Sequence, residues 1–434
     1  MAHLLSWSLF VWWTEQVVKD CTETLKKAEE VLRTGTMARI VSFRQDPRMN
    51  ALRDLAQVWG IGLKQAAELY AAGFSTLQSL RTPEGQRRLN RVQKLGLKYH
   101  EDLTLRIPRD EITEMVALIR ETAEGLVGPS KVDGLRVVGV GSYRRNKSTS
   151  GDIDVLVSHT DGTTHVKLLE LLVESLTASG FLREKLTDTA STKKPDDEAA
   201  DKNKHTHTKQ PNGGKYMGIC LYDPPASSAA AGGGLTGGGS AGASASAGRP
   251  RHRHIDIFTC PDDQWACALL TTTGSDVHNR SMRHWCAQMG LALSEKALAP
   301  AQREERGCYR DNKYINNKLF VGAHIPVMTE RDIYDHLGLV YKEPHERGGK
   351  VEHKKLQDWD AGYIGYWLQC AVMLPEYKDS FQGNGIDGEA LASITAHDLQ
   401  ELGVSEAHTP LLLRERDRAA AHDLNSWYRR FRRV

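Results

Sequence analysis

Two carboxylates one residue apart, at the mouth of an apolar run, constrain this chain more than any other feature. Residues 135–140 are apolar and strand-like. They break at Gly141-Ser142 into a basic, hydroxyl-rich turn, Tyr143-Arg144-Arg145-Asn146-Lys147-Ser148-Thr149-Ser150-Gly151, and a second strand is predicted over 152–158, opening Asp152-Ile153-Asp154. Side chains alternate faces along a strand, so Asp152 and Asp154 share one face while Ile153, Val155 and Val157 fill the other. Adjacent acids repel unless a cation sits between them. A small set of oxygen ligands suits Mg2+, which keeps positions open for substrate phosphates. His254-Ile255-Asp256-Ile257-Phe258 sets a third acid in another short β-type run. A lone Asp-x-Asp is ordinarily a solvated strand edge; the Gly-Ser turn and the third acid point instead to a two-metal phosphoryl-transfer site.

Gly-Ser-Tyr-Arg-Arg followed by Gly-Asp-Ile-Asp-Val-Leu-Val resembles the palm of the family X DNA polymerases, and the resemblance runs from about residue 28 to 347 with the motifs in the family's order. It implies an α+β fold: a nucleotidyltransferase palm with a mixed β-sheet over 109–262, helical fingers over 36–108 and a nucleotide-closing thumb over 263–347. It further implies that Asp152, Asp154 and Asp256 are catalytic and hold two Mg2+ (or Mn2+) ions. By the same resemblance Ser142, Arg145, Ser150, Gly151 and Arg106 grip the triphosphate. Asp276 and Asn279 meet the nucleotide, and Arg283 meets DNA on the minor-groove side, where hydrogen-bond patterns are degenerate and report pair shape. Three departures stand out: Asn146 in place of a glycine, His254 in place of an arginine, and Thr271-Thr272 in place of aromatics that help exclude ribose. Weaker discrimination against ribonucleotides is expected from the last.

Val58-Trp59-Gly60-Ile61-Gly62-Leu63-Lys64 reads as a glycine turn entering a helix, where backbone N–H groups suit phosphate. As a bare pattern it is often only a tight turn. It resembles the family's helix-hairpin-helix, which implies DNA-backbone contacts from Gly60, Gly62 and Lys64. Residues 14–34 read as one helix stopped by Gly35. Aligned on the family, 1–35 would be a truncated remnant of the lyase domain, with Lys27 in the place of the Schiff-base lysine. The elements that would bury such a lysine and depress its pKa are missing from the sequence, so an exposed helix lysine is expected rather than a lyase.

At 434 residues the chain is long enough for two to four domains. A net charge of +2 leaves any nucleic-acid surface to local patches. Seven cysteines without a Cys-x-x-Cys pair argue against zinc and against a disulfide framework. The apolar run 4–13 is too short to span a bilayer, which takes about 20 residues, and no membrane partner is expected. Helices are predicted over 110–126 and 164–179, a strand over 214–222, and helices through 261–300 interrupted at 273–275. Residues 301–322 are expected to be polar loop, and 329–337 a short helix. Residues 187–212 have no apolar period, and 226–248 are almost pure Ala, Gly and Ser; both are expected to be disordered insertions.

Beyond Arg347, residues 348–358 read as a linker. From Trp359 an apolar rhythm resumes, and Asn384-Gly385-Ile386-Asp387-Gly388 with Asp398-Leu399 and Leu402-Gly403-Val404 resembles a sterile alpha motif (SAM) domain, an all-α bundle over 359–425. That resemblance implies self-association or a protein partner. Residues 426–434 form a basic tail consistent with a nuclear location. The function expected is gap-filling DNA synthesis in repair on gapped or nicked DNA from deoxynucleoside triphosphates, with Mg2+ as cofactor. A template-independent nucleotidyltransferase and a non-catalytic SAM scaffold on a polymerase body remain alternatives.

Overall fold

The computed structural model describes residues 22, 24–186, 214–224, 249–303, 308–310, 313–315, 318–372 and 374–421. The apolar run 4–13, both insertions and the basic tail lie outside the described residues. The chain divides into two compact units, Met1–Thr104 and Leu105–Val434.

In the first unit the helix through Lys27 ends at Gly35, whose φ of 74° is the left-handed stop that glycine takes most readily. Lys27 is exposed on it. Helices α1 (Pro47–Ala56), α2 (Leu63–Ala71) and α3 (Arg91–Lys98) pack on Leu55, Val58, Ile61, Ala66, Leu69 and Leu97. The hairpin between α1 and α2 is braced from behind: buried Gln93 donates from Nε2 to the Gly60 carbonyl at 2.9 Å.

The second unit begins with α4 (Arg109–Val127), which lies under a five-stranded sheet. The strands are β1 (Leu135–Gly139), β2 (Ile153–His159), β3 (Leu182–Lys185), β4 (Lys215–Tyr222) and β5 (Arg251–Thr259). Their order is β1-β2-β5-β4-β3, antiparallel except for the central β2–β5 pair. Helix α5 (His165–Ala178) packs with α4 on Ile153, Val155, Val157, Ile255 and Ile257, the apolar face that the alternation predicts. Buried Arg253 and Glu111 pair at 2.6 Å and tie β5 to α4.

After the sheet come α6 (Trp265–Thr273) and α7 (Asp276–Gln288). Residues 289–300 depart from the helical expectation: Gly290, at φ 69°, ends the helix, and β6 (Leu291–Leu293) pairs with β7 (Leu298–Arg303). The expected polar loop 301–322 is corrected too. It holds the end of β7, the hairpin β8 (Cys308–Arg310) with β9 (Lys313–Ile315), and β10 (Lys318–Val321) paired to β7. β8, β9 and β10 are three or four residues long, too short for a two-residue alternation to emerge. Helix α8 (Glu330–His336) follows, then a helical bundle from α9 (Ala361–Tyr366) through α10 (Lys378–Gly383), α11 (Gly388–Ser393) and α12 (Ala396–Glu401) to α13 (Thr409–Ala420).

A buried triad locks α8 to the turn after β1. Glu330 accepts from Arg144 Nη2 at 2.8 Å and from Arg347 Nη1 at 2.6 Å, with Arg347 fully buried. Those guanidinium bonds hold the Glu330 carboxyl below its ordinary value of 4.5 against the opposing effect of burial. Because the folded carboxyl is more acidic than the unfolded one, its contribution is full above about pH 4.5 and is lost as pH falls through the folded value. Replacing Glu330 by Gln leaves one fully buried guanidinium, Arg347, and one half-buried, Arg144, uncompensated, and is expected to lower stability by about 3–5 kcal/mol near pH 7. Urea unfolding at pH 7 and pH 4 checks this: the gap between wild type and variant should shrink at pH 4.

Candidate active site

Parallel pairing of β2 with β5 sets Asp154 directly opposite Asp256, with Ile153 opposite Ile255 and Val155 opposite Ile257. Asp152 precedes β2 by one residue, in the bend that closes the basic turn, and is half-buried. Burial, then the charges of Asp152 and Asp256, push the Asp154 carboxyl up to about 7; burial raises Asp256 as well. Asp154 faces Asp256 across the strand pair and Asp152 stands at the same end of β2, so the three acids share one locus. Asp256 is buried, and among the described residues no hydrogen bond reaches its Oδ1. Its Oδ2 lies 3.2 Å from Lys215 Nζ. A repelling acid cluster with a buried, unbonded carboxylate oxygen fits divalent cations, which supply the missing positive charge.

The acids sit against the turn because Gly141 allows it. Gly141 has φ 60°, and a Cβ there would run into the Asp154 carboxylate. Asn146 takes φ 58°, a left-handed conformation that asparagine tolerates better than most residues, so the turn keeps the shape a glycine would give it. Lys147 N–H closes the turn on the Ser142 carbonyl at 3.2 Å. The short strand Ile107–Pro108 pairs with Thr149–Ser150, and Arg106 donates to Thr149 O at 2.6 Å.

An open cavity of about 490 Å³ results, lined by Arg106, Ser142, Arg145, Lys147, Ser148, Thr149, Gly151 and Asp152. Ser142, Arg145, Gly151 and Arg106 thus meet at one surface beside the acids. Ser150 lies behind it, its buried Oγ without a hydrogen-bond partner. Arg145 donates to the Thr273 carbonyl and joins the turn to the end of α6. On α7, Asn279 donates to Thr271 O at 2.7 Å, exposed Asp276 pairs with Arg280 at 2.6 Å, and Arg283 is exposed. Gly60, Gly62 and Lys64 are exposed together on the first unit's hairpin. His254 is buried with Nε2 3.6 Å from Asp256 Oδ1, and burial lowers its pKa, which favours the neutral imidazole.

Two cations escaped the sequence reading. Lys147 stands in the turn itself, and a lone turn lysine is usually solvated. Lys215 opens β4 some forty residues ahead of Asp256 in the chain, and only antiparallel pairing of β4 with β5 brings them together. No local pattern signals that pairing.

A mixed sheet whose central parallel pair carries facing acids, beside a Gly-Ser turn and a basic cavity, has the architecture of a polymerase palm domain. Family models match in register along the chain: the fingers domain of DNA polymerase lambda over 53–104, the DNA polymerase beta palm over 106–262, the DNA polymerase beta thumb over 268–348 and the SAM domain (sterile alpha motif) over 358–414. The chain is 31% identical over 319 residues to DNA polymerase lambda of Arabidopsis thaliana, covering 74% of this chain and 50% of that protein. It is 33% identical over 324 residues to DNA polymerase lambda of Rattus norvegicus, covering 74% and 46%. The chain spans about half the length of these curated relatives. It belongs to family X of the DNA polymerases, with a SAM domain following the thumb.

Gly141→Ala tests the close approach. The substitution forces a left-handed alanine and a collision with Asp154, and should cost about 1–3 kcal/mol of stability. Thermal unfolding measures the loss; a variant as stable as the wild type contradicts the geometry.

Proposed function

We propose that this chain is a DNA-directed DNA polymerase that fills short gaps during repair, and the observation that carries this reading is the pairing of Asp154 with Asp256 across adjacent strands beside the basic cavity. The substrates are gapped or nicked DNA and deoxynucleoside triphosphates, and the setting is the nucleus. The reaction is attack of a primer 3′-hydroxyl on the α-phosphorus, with pyrophosphate leaving. Asp152 and Asp154 would hold two Mg2+ ions and Asp256 one of them. Bound there, the ions supply charge neutralisation and a more acidic 3′-hydroxyl.

The chain's own residues do the rest. Arg145, Arg106 and Lys147 offset the triphosphate charge, while Ser142 and the Gly151 backbone fix its tail for in-line attack. Asp256 Oδ1, buried and unbonded, accepts the hydroxyl proton. Asn279 and Arg283 on α7 bear on the nascent pair, with Asp276 at the nucleotide's side. The exposed hairpin at Gly60, Gly62 and Lys64 holds the DNA backbone without reading sequence. Lys27, exposed on its helix, has no burial to make it a nucleophile, so no lyase step is assigned. Among the described residues no helix is long and apolar enough to cross a membrane.

Extension of a primer across a one-nucleotide gap with a downstream 5′-phosphate tests the reading. Templated insertion that falls at least about 100-fold in Asp256→Asn is expected, since charge at the reacting centre acts mainly on kcat. Equal insertion without template identifies a template-independent transferase, and no insertion by the folded wild type leaves only a scaffold. In the same assay, Thr271 and Thr272, both half-buried, offer little bulk against a 2′-hydroxyl. Ribonucleotide insertion within about 100-fold of deoxynucleotide is therefore expected, one or two contacts being worth no more than that; a far stronger deoxy preference contradicts it.

A further inference from the structure

Helix α7 has two working faces. Asp276, Arg280 and Arg283 are exposed, with Asn279 half-buried beside them, while His278, Met282 and Trp285 are buried on the other side. The buried face is covered in part by residues 348–355, which follow the thumb match and which composition alone marks as a linker. They form a strap with its own hydrogen bonds. Val351 N–H donates to Ser281 Oγ at 3.0 Å, and the Gly349 carbonyl lies 3.2 Å from His278 Nδ1. Val340 N–H donates to Glu352 O at 2.8 Å, and Lys354 N–H to Gly338 O at 2.9 Å. The Lys354 ammonium pairs with Asp335 at 2.8 Å, and the Trp285 and His353 rings meet edge-on at 4.1 Å. A tether needs none of these contacts; backbone groups paired this way belong to folded structure.

The SAM bundle is joined as closely. Tyr363 presses on Gly338, where a Cβ would strike its ring, and the His336 and Tyr366 rings meet edge-on at 5.4 Å. One apolar core runs unbroken from Leu270 and Trp285 through Leu337 and Leu339 to Leu356, Trp359 and Trp367. His278 is fully buried and bridges the strap, at the Gly349 carbonyl, and the Tyr334 hydroxyl of α8 at 2.6 Å.

We propose that the strap and the SAM domain are a built-in extension of the thumb, and that His278 is the positioning residue through which they set the helix carrying Asn279 and Arg283. The inference deepens the polymerase reading and rests on it for its kinetic part.

The test uses the full chain and two substitutions: Ser281→Ala, which removes only the acceptor for Val351, and His278→Phe, which keeps a ring and loses both hydrogen bonds. Hydrogen exchange should show the amides of Val340, Val351 and Lys354 protected in the wild type. It should speed up at Val351 and along 276–288 in both variants. On a one-nucleotide gap, KM for the nucleotide should rise about tenfold in His278→Phe with kcat within about twofold, the mark of lost positioning rather than lost chemistry. If His278→Phe fails to fold, Ser281→Ala carries the exchange and KM readouts in the same direction with a smaller effect. Strap amides exchanging at the rate of free peptide, or variants that loosen the strap and leave α7 and KM unchanged, overturn the proposal. An inactive wild type with a protected strap would instead overturn the polymerase reading and leave the extension standing.

Discussion

Mutual repulsion among three carboxylates is the constraint around which the palm is arranged. Asp154 and Asp256 face each other from neighbouring parallel strands, and Asp152 bends in from the turn. Left uncompensated, such a cluster opposes folding, because each acid raises the free energy of ionising the next. The apolar faces of β2 and β5, packed against α4 and α5, hold the acids together all the same. Register is decisive here: a slip by one residue would turn Asp256 into the core and Ile257 toward the cavity. On the proposed reading, divalent ions held by these acids would offset that repulsion and leave positive charge for a triphosphate.

The turn after β1 serves both sides of the site. Arg145 reaches the end of α6 through the Thr273 carbonyl, and Arg144 enters the buried triad with Glu330 and Arg347. One short basic segment thus lines the basic cavity and bonds to α6 and α8. Through the Arg144 guanidinium, α8 is bonded to the same turn whose Ser142, Arg145 and Lys147 line the cavity.

The acid cluster of the candidate site was legible because its pattern is local. Gly141-Ser142, the Asp-Ile-Asp pair and the apolar alternation of Ile153, Val155 and Val157 all sit within one short stretch, and Asp256 stands in a run of the same period. What stayed hidden depends on pairing between distant segments. Lys215 approaches Asp256 only through β4–β5 pairing, and Arg253 finds Glu111 across the sheet. The strands between Leu298 and Val321 were hidden for another reason: β7 runs Leu-Ala-Pro-Ala-Gln-Arg without a polar alternation, and β8, β9 and β10 are only three or four residues long. Residues 348–358 look like a tether by composition, since Gly-Gly and charge dominate, yet their role is written in backbone hydrogen bonds that composition does not encode.

The most direct measurement of the central claim is Mn2+ binding to the full chain followed by electron paramagnetic resonance, with a gapped duplex and a non-hydrolysable deoxynucleoside triphosphate present. The account predicts about two ions per chain in the wild type, as a two-metal site requires, and loss of binding in Asp154→Asn with the fold intact by circular dichroism. Mn2+ binding that is absent from the wild type, or that survives unchanged in Asp154→Asn, would contradict it.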